Sequence, residues 1–378
     1  MRKTLFIVIL LLSSMSGALA QGFSTSGWWG PAQERFSPVV RPDGTITFRI
    51  KAPKARKADL LFDEWTVLRQ PMTQNAEGVW ETTIGPVAPG VYEYKFELDG
   101  VKVLDYTNPA VKAGTEIYCN TVEVSGATPR FDERVLTGSQ VDVISYRSSV
   151  TGTYRRVAVY VPACYYERAC KKLPVLYLRH GGGDNELSWW QSANADAIMD
   201  NLIASGAAVP MLVVMTNGLP EDGTWAGGSS PEGIARFEKE LIDDVIPLIE
   251  SRYKVSRKPA DRAIAGLSMG GGQAFMIGLH RPDLFSAVGE FSSGLLSDPA
   301  LDFASYSVDL DASRINGALD LLWISCGTLD SRWEGHQAFS RMLTDKGIKH
   351  EFRSAEYGHQ WQFWREQLRD FALQLFKK

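Results

Sequence analysis

The chain has 378 residues, 44% of them hydrophobic and 22% charged, with a formal net charge of −4. That length suits two domains, one small and one larger, each burying its own core. The mild acidity, and the lack of any basic run beyond the N-terminus, argue against a nucleic-acid partner.

Residues 1–20 read as a secretory signal. Arg2 and Lys3 supply the positive start, Leu5 to Leu12 the apolar stretch, and Ala18-Leu19-Ala20 a small-residue cleavage site before Gln21. The apolar stretch is too short to span a bilayer, and no later window is longer. No cysteine follows it to carry a lipid. The expectation is an exported protein, periplasmic or secreted, with no membrane attachment once the signal is removed. Of the four cysteines, Cys164 and Cys170 flank a short polar loop that an oxidising compartment could close. Cys119 and Cys326 sit in apolar, strand-like contexts and read as free buried thiols. No C-x-x-C pair or histidine cluster points to a metal.

Residues 27–126 form the first predicted domain. After Trp28-Trp29-Gly30-Pro31, short alternating segments appear between turn signals: Thr45 to Ile50, Val79 to Ile84, and Val91 to Leu98. The last meets Asp99-Gly100 and returns through Val101 to Leu104, a strong hairpin signal. Such spacing without a helix predicts a small β-sandwich. Thr47 to Pro53, Gly78-Val79-Trp80, Pro89 to Phe96 and Leu98-Asp99-Gly100 together resemble the immunoglobulin-like sandwich of family 48 carbohydrate-binding modules. The resemblance implies either a glycan-binding module or a scaffold packed on the next domain. Trp65 and Trp80 suit a binding face or a core equally.

Residues 127–134 read as a linker, and residues 135–378 as an α/β domain. Tyr154–Val161, Pro174–Leu178, Met211–Met215, Arg262–Ala265, Ser286–Phe291 and Leu319–Ser325 are strand-like runs separated by helical patterns. In the helical segment 232–253, Phe237, Leu241, Val245, Leu248 and Ile249 share one face, and Pro247 predicts a kink. Alternation of this kind gives a mostly parallel sheet covered on both faces, the α/β-hydrolase architecture.

In such sheets chemistry gathers at the carboxyl ends of strands. Ile264-Ala265-Gly266-Leu267-Ser268-Met269-Gly270-Gly271-Gly272 reads as a nucleophile elbow, with Ser268 at the apex and glycines where a Cβ would collide. Of the five histidines, His280 looks like a helix end, His336 lies in a helical pattern and His350 in a strand. His180 belongs to a glycine turn. His359 remains, in the loop Tyr357-Gly358-His359-Gln360-Trp361, as the base. The acid must lie between serine and histidine in this fold's chain order. Asp330 does, just after a strand, whereas Asp298, Asp302, Asp309 and Asp311 do not follow one and Glu356 is too near His359. The Met269 N–H and an amide of His180-Gly181-Gly182-Gly183, with Gly182 favoured, supply an expected oxyanion hole.

Leu178 to Gly183, Gly266 to Gly271, Cys326 to Asp330 and Gly358 to Trp361, with Trp364-Arg365, resemble the esterase D group of α/β-hydrolases. They are most similar to carbohydrate esterase family one, the secreted feruloyl and acetylxylan esterases. Arg179 departs from a position that is often apolar. The resemblance implies a serine esterase without metal or organic cofactor, acting on acylated plant polysaccharide such as xylan. Trp189, Trp190 and Trp225 lie in loops near the predicted active face, where they either flank an aromatic acid or pack the loops. A siderophore (enterobactin-type) esterase, a mycolyl-type acyltransferase and a glycan-binding protein with an inactive hydrolase fold are the alternatives.

Overall fold

The computed structural model describes residues 36–63, 68–112, 114–117, 119–126, 130–135, 137–168, 170–220 and 228–377. Residues 1–20, where a signal is expected, the Trp28–Pro31 lead, Trp65 and Trp225 lie outside the described residues.

The first domain is a β-sandwich. One antiparallel sheet contains β1 (Val39–Val40), β2 (Ile46–Lys51), β6 (Val79–Ile84) and β5 (Thr73–Gln74), in that order. The other has the order β4 (Leu68–Pro71), β3 (Ala58–Phe62), β7 (Gly90–Leu98), β8 (Val101–Val103), and β9 (Asn120–Val124) also pairs with β7. Alternation drives this packing. Ile46, Phe48 and Ile50 of β2 point inward against Leu60, Tyr94 and Phe96. The rings of Phe48 and Tyr94 meet edge to face at 4.7 Å. Asp99 and Gly100 both take positive φ, 49° and 88°, the pair of left-handed residues that a tight two-residue hairpin needs. Strand β3 escaped the sequence pattern because all five residues are buried, so period-two alternation is absent. Its one charge, Asp59, pairs with Lys57 and Arg69 at 2.8 Å each. Trp80 is a core residue whose indole N–H donates to the Ala52 carbonyl at 3.0 Å.

The second domain carries an eight-stranded sheet ordered β10-β11-β13-β12-β14-β15-β16-β17. These are β10 (Gln140–Arg147), β11 (Tyr154–Val161), β12 (Val175–Arg179), β13 (Leu212–Thr216), β14 (Arg262–Leu267), β15 (Ala287–Phe291), β16 (Leu321–Ser325) and β17 (Glu351–Arg353). The first two pairings are antiparallel and the rest parallel. Among the described residues the α-helices are α1 (Ser188–Gln191), α2 (Ala195–Ala204), α3 (Pro231–Glu240), α4 (Ile246–Arg252), α5 (Ser268–His280), α6 (Ala312–Ala318), α7 (Trp333–Asp345) and α8 (Trp361–Ala372). They cover both faces. Phe237, Phe275 and Phe339 pack one side of the sheet, and Trp189, Trp323 and Phe371 the other. The kink expected at Pro247 takes the form of a π turn, Leu241–Val245, between α3 and α4. Proline has no N–H for the preceding turn and crowds its carbonyl, and widening the turn relieves both.

The two domains are bonded to each other. Buried Arg365 of α8 donates from Nη1 to the Val91 carbonyl of β7 at 3.2 Å, and from Nη2 to the Ser192 carbonyl. Residues 131 and 133, where a linker is expected, pack on the second domain. Asn201 Nδ2 donates to the Phe131 and Glu133 carbonyls at 2.9 Å each, and the Arg369 guanidinium lies 4.5 Å over the Phe131 ring. Cys119 and Cys326 are both buried; Cys164 and Cys170 carry free thiols, so the loop between them is not closed. Among the described residues no helix is long and apolar enough to cross a membrane.

Phe48 is fully buried at the centre of the sandwich. Phe48→Ala should cost about 3–5 kcal/mol, through lost burial plus the cavity left behind. Urea unfolding followed by tryptophan fluorescence measures it; an unchanged midpoint would contradict the packing described.

Candidate active site

Strand β14 is buried along its whole length and ends in the middle of the sheet, between β12 and β15. The chain then turns through Ser268, which takes φ of 50°, and α5 begins. A non-glycine residue in this left-handed region is strained. The turn closes because neighbouring backbone comes very near. A Cβ on Gly266 would lie 2.4 Å from the Gly270 carbonyl oxygen, and a Cβ on Gly270 would lie 2.3 Å from that of His180. Neither contact admits a side chain, which is why both positions are glycine.

The structure brings Ser268, His359 and Asp330 together. Ser268 Oγ lies 2.9 Å from His359 Nε2, and His359 Nδ1 lies 2.7 Å from Asp330 Oδ2. With an ionised carboxyl, the only consistent pattern has Nδ1–H donating to Asp330 and the serine hydroxyl donating to Nε2. Burial opposes ionisation of Asp330. The His359 bond, the Arg332 N–H at 3.0 Å and the Arg332 guanidinium at 3.2 Å outweigh it and hold the carboxyl below its usual value. Burial pushes His359 below the ordinary imidazole value. Asp330 works against that, while the charges of Arg332 and His336 add to it. The imidazole is therefore neutral and able to accept a proton near neutral pH. Trp364 meets its ring edge to face at 4.8 Å.

The acid and base loops are zipped backbone to backbone. Thr328 N–H donates to the Ala355 carbonyl at 2.9 Å, and Leu329 N–H to that of Tyr357 at 3.0 Å. Behind them lies a charged pair absent from the sequence reading. His336 Nε2 sits 3.1 Å from Glu290 Oε1, with both side chains fully buried, and His336 Nδ1 donates to the Arg332 carbonyl at 2.9 Å. Burial disfavours the imidazolium, but the Glu290 charge prevails and pushes His336 up to about 11. Glu290 also accepts from the Ser293 N–H, tying the loop after β15 to α7. One signal was present in the sequence: Glu290 is the single charge in an otherwise apolar strand, and such a charge needs a partner.

After β12 comes the glycine loop. His180 is buried and neutral, with burial pushing it down to about 4. Its Nδ1–H donates to the Gly181 carbonyl at 2.8 Å, and Nε2 accepts from the Gly218 N–H at 3.0 Å. It is a latch on the loop. Arg179, the unusual residue before it, is buried and donates to Gln273 Oε1 at 2.7 Å and Thr216 Oγ1 at 3.2 Å. Gly182 lines both cavities beside Ser268. The Met269 N–H, in the first turn of α5, has no carbonyl of its own helix to bind. One cavity, lined by Gly181, Gln360, Trp361 and Trp364, is completed by Asp63, Val91, Glu93 and Lys112 of the sandwich. The other has Ser229, Met269, Leu295 and Arg332. Asp184 is buried in the first cavity, and that burial pushes its carboxyl up to about 7. Of the two readings open for Trp189, ligand face or loop packing, its burial fits the second: it is 1% exposed. Its N–H donates to the Arg179 carbonyl at 2.9 Å, so it packs beneath the glycine loop and faces no ligand. Trp190 lines a separate cleft between the domains.

Residues 148–375 match the family model described as a putative esterase. The chain belongs to this esterase family. Residues 35–110 match carbohydrate-binding module 48, the isoamylase N-terminal domain. An endo-1,4-beta-xylanase/feruloyl esterase of Xylanibacter ruminicola is 31% identical over 369 residues, covering 92% of this chain and 46% of that protein. The chain thus spans about half the length of the first curated relatives it matches. Among solved structures, a ferulic acid esterase of Anaeromyces mucronatus in complex with ferulic acid is 27% identical. It covers 63% of this chain and 91% of its own, with a TM-score of 0.55. The enterobactin esterase of Shigella flexneri covers 93% of this chain and 98% of its own, with a TM-score of 0.65. At 18% identity that likeness is one of fold, extending across both domains.

The cation of Arg332 sits beside both Asp330 and His359. Loss of activity at low pH should follow protonation of His359, placing the acid limb of kcat/KM below the ordinary imidazole value of about 6.5. Arg332→Gln removes a positive charge that disfavours the imidazolium, so the limb should move to higher pH. A pH–rate profile on a small soluble ester reads this directly; a limb that stays put or moves down contradicts the assignment.

Proposed function

We propose that the protein is an exported serine carboxylic ester hydrolase that removes feruloyl or acetyl groups from plant cell-wall polysaccharide such as xylan. The observation that carries the reading is the relay from Ser268 to His359 at 2.9 Å and from His359 to Asp330 at 2.7 Å, at the carboxyl end of the sheet. Ser268 Oγ attacks the acyl carbonyl as His359 Nε2 takes its proton. Asp330 stabilises the imidazolium that results. The Met269 and Gly182 amides hold the tetrahedral oxyanion, each contributing on the order of ~3 kcal/mol. His359 then protonates the departing sugar hydroxyl. Water, activated by the same imidazole, frees the acid and restores the serine.

The two cavities meet at Ser268, so an ester lying across it places its acyl group in one and its alcohol in the other. The plant-wall substrate is supported by the X. ruminicola relative, whose name joins xylanase and feruloyl esterase, and by the module-48 match. Export is supported by Arg2, Lys3, the apolar Leu5–Leu12 run and Ala18-Leu19-Ala20.

Methyl ferulate and acetylated xylan, assayed side by side, should show which acyl group is removed. Ser268→Ala should abolish turnover of both while leaving the circular dichroism spectrum unchanged; residual hydrolysis at the parent rate would refute the nucleophile. Cleavage of a catecholate trilactone alone would select a siderophore esterase. Acyl transfer to an added sugar would select an acyltransferase. If neither hydrolysis nor fluorophosphonate labelling occurs, the fold is catalytically inactive and only glycan binding remains.

A further inference from the structure

A run of three glycines has more backbone freedom to lose than any other, so the loop from His180 to Gly183 needs fixed points if its amides are to be preorganised. On its first side the catalytic domain supplies them, through the His180 latch and the contact of Gly270 with the His180 carbonyl. On its far side Asp184 N–H closes back on the Gly181 carbonyl at 3.3 Å, and the sandwich adds further points. Thr115 donates to the Gly183 carbonyl twice, from its backbone N–H at 2.9 Å and from Oγ1 at 3.1 Å. Asn185 Nδ2 returns a bond to the Gly114 carbonyl at 2.8 Å. Gly114 is pressed against the same point: a Cβ there would lie 2.6 Å from the Gly183 carbonyl oxygen. Its φ lies outside the left-handed region, so the close contact and not the backbone conformation calls for glycine. Real Cβ atoms do not come so near a carbonyl oxygen, and the loop would have to move.

We propose that Gly114 and Thr115 of the sandwich are positioning residues for the chemical step, holding the Gly183 carbonyl and, with it, the neighbouring Gly182 amide at the oxyanion site. The inference rests on the serine-esterase reading above. It assigns the sandwich a part in catalysis that is separate from any glycan binding and operates on substrates that carry no sugar.

The test uses the full chain with Gly114→Ala, Thr115→Val and Thr115→Ser, assayed on 4-nitrophenyl acetate and methyl ferulate. Three quantities are read: kcat and KM separately, the rate of Ser268 labelling by a fluorophosphonate, and the thermal unfolding transition. A displaced oxyanion donor costs transition-state stabilisation and not ground-state binding. Gly114→Ala should therefore lower kcat roughly ten- to hundredfold with KM within about twofold of the parent. Labelling should slow in parallel, because the phosphoryl oxygen needs the same donors, while the protein still unfolds cooperatively. Thr115→Val should lose less in the same direction, and Thr115→Ser, which keeps both donors, should recover that loss. Folded variants with parental kcat overturn the proposal, as does a rise in KM alone, which would mark a binding wall. Should Gly114→Ala fail to fold, the Thr115 pair decides: equal kcat for Val and Ser overturns it. A parent chain that neither hydrolyses any ester nor takes the label defeats the esterase reading itself, a result distinct from these.

Discussion

The site depends on one backbone contact, that of Gly270 against the His180 carbonyl, with Gly266 packed beneath. Left-handed φ at a serine costs on the order of 1–3 kcal/mol and persists only where the surroundings over-determine it. Here they do. Strand β14 is fixed on both sides in register, Arg179 opposite Gly266 and Gly266 opposite Glu290, so the chain enters the turn with no freedom of angle. Because no side chain separates Gly270 from His180, the turn at Ser268 and the glycine loop meet backbone to backbone, and the Arg179–Gln273 bond joins them again. Movement of either displaces the other.

The acid and base are held by a second backbone assembly, and the buried Glu290–His336 pair stands behind it. Burying two charges is expensive, and such pairs are tolerated where further hydrogen bonds satisfy them. Glu290 Oε1 accepts the Ser293 N–H as well as facing His336, and His336 has the Arg332 carbonyl, while Glu290 Oε2 is buried without a hydrogen bond. The pair thereby fixes the backbone of Arg332, whose N–H and guanidinium both reach Asp330. The same cations bias His359 toward its neutral form. The pair thus orients Arg332 toward Asp330, and the His336 charge adds to the burial that keeps His359 neutral.

How much of this was legible depended on whether the cause was local. The elbow was, because Gly266 and Gly270 are demanded by contacts within a few residues of the serine. Strand β6 was readable to the residue, since Val79–Ile84 is bounded by a turn and half exposed. Strand β3 was not, because burial of all five residues removes the alternation that marks a strand. His359 emerged by elimination among few histidines, and Asp330 by its place after a strand. Trp189 stays open in sequence for the opposite reason. An aromatic residue type suits a core or a ligand surface equally, and only the packing of α1 under the end of β12 decides. The Glu290–His336 pair spans 46 residues, so neither partner announces the other.

The sandwich reads as an appendage in sequence because its bonds to the catalytic domain fall mainly on carbonyl oxygens, which every residue type carries. Val91 and Gly114 accept from catalytic-domain side chains, and Gly183 accepts from Thr115. Arg365 is the clearest case. Its guanidinium is buried, with burial pushing it down to about 10, and its bonds go to the Val91 and Ser192 carbonyls, one in each domain. A buried cation held by carbonyls is tolerable only while both stay in place. The packing of α8 and the docking of the sandwich therefore cannot be independent. Helix α8 starts two residues after His359 and carries Trp364 against its ring. The sandwich consequently meets the active site twice, at the glycine loop through Thr115 and at the base-bearing segment through Val91. Bonded at both points, the sandwich ties the glycine loop and the His359-bearing segment into one framework.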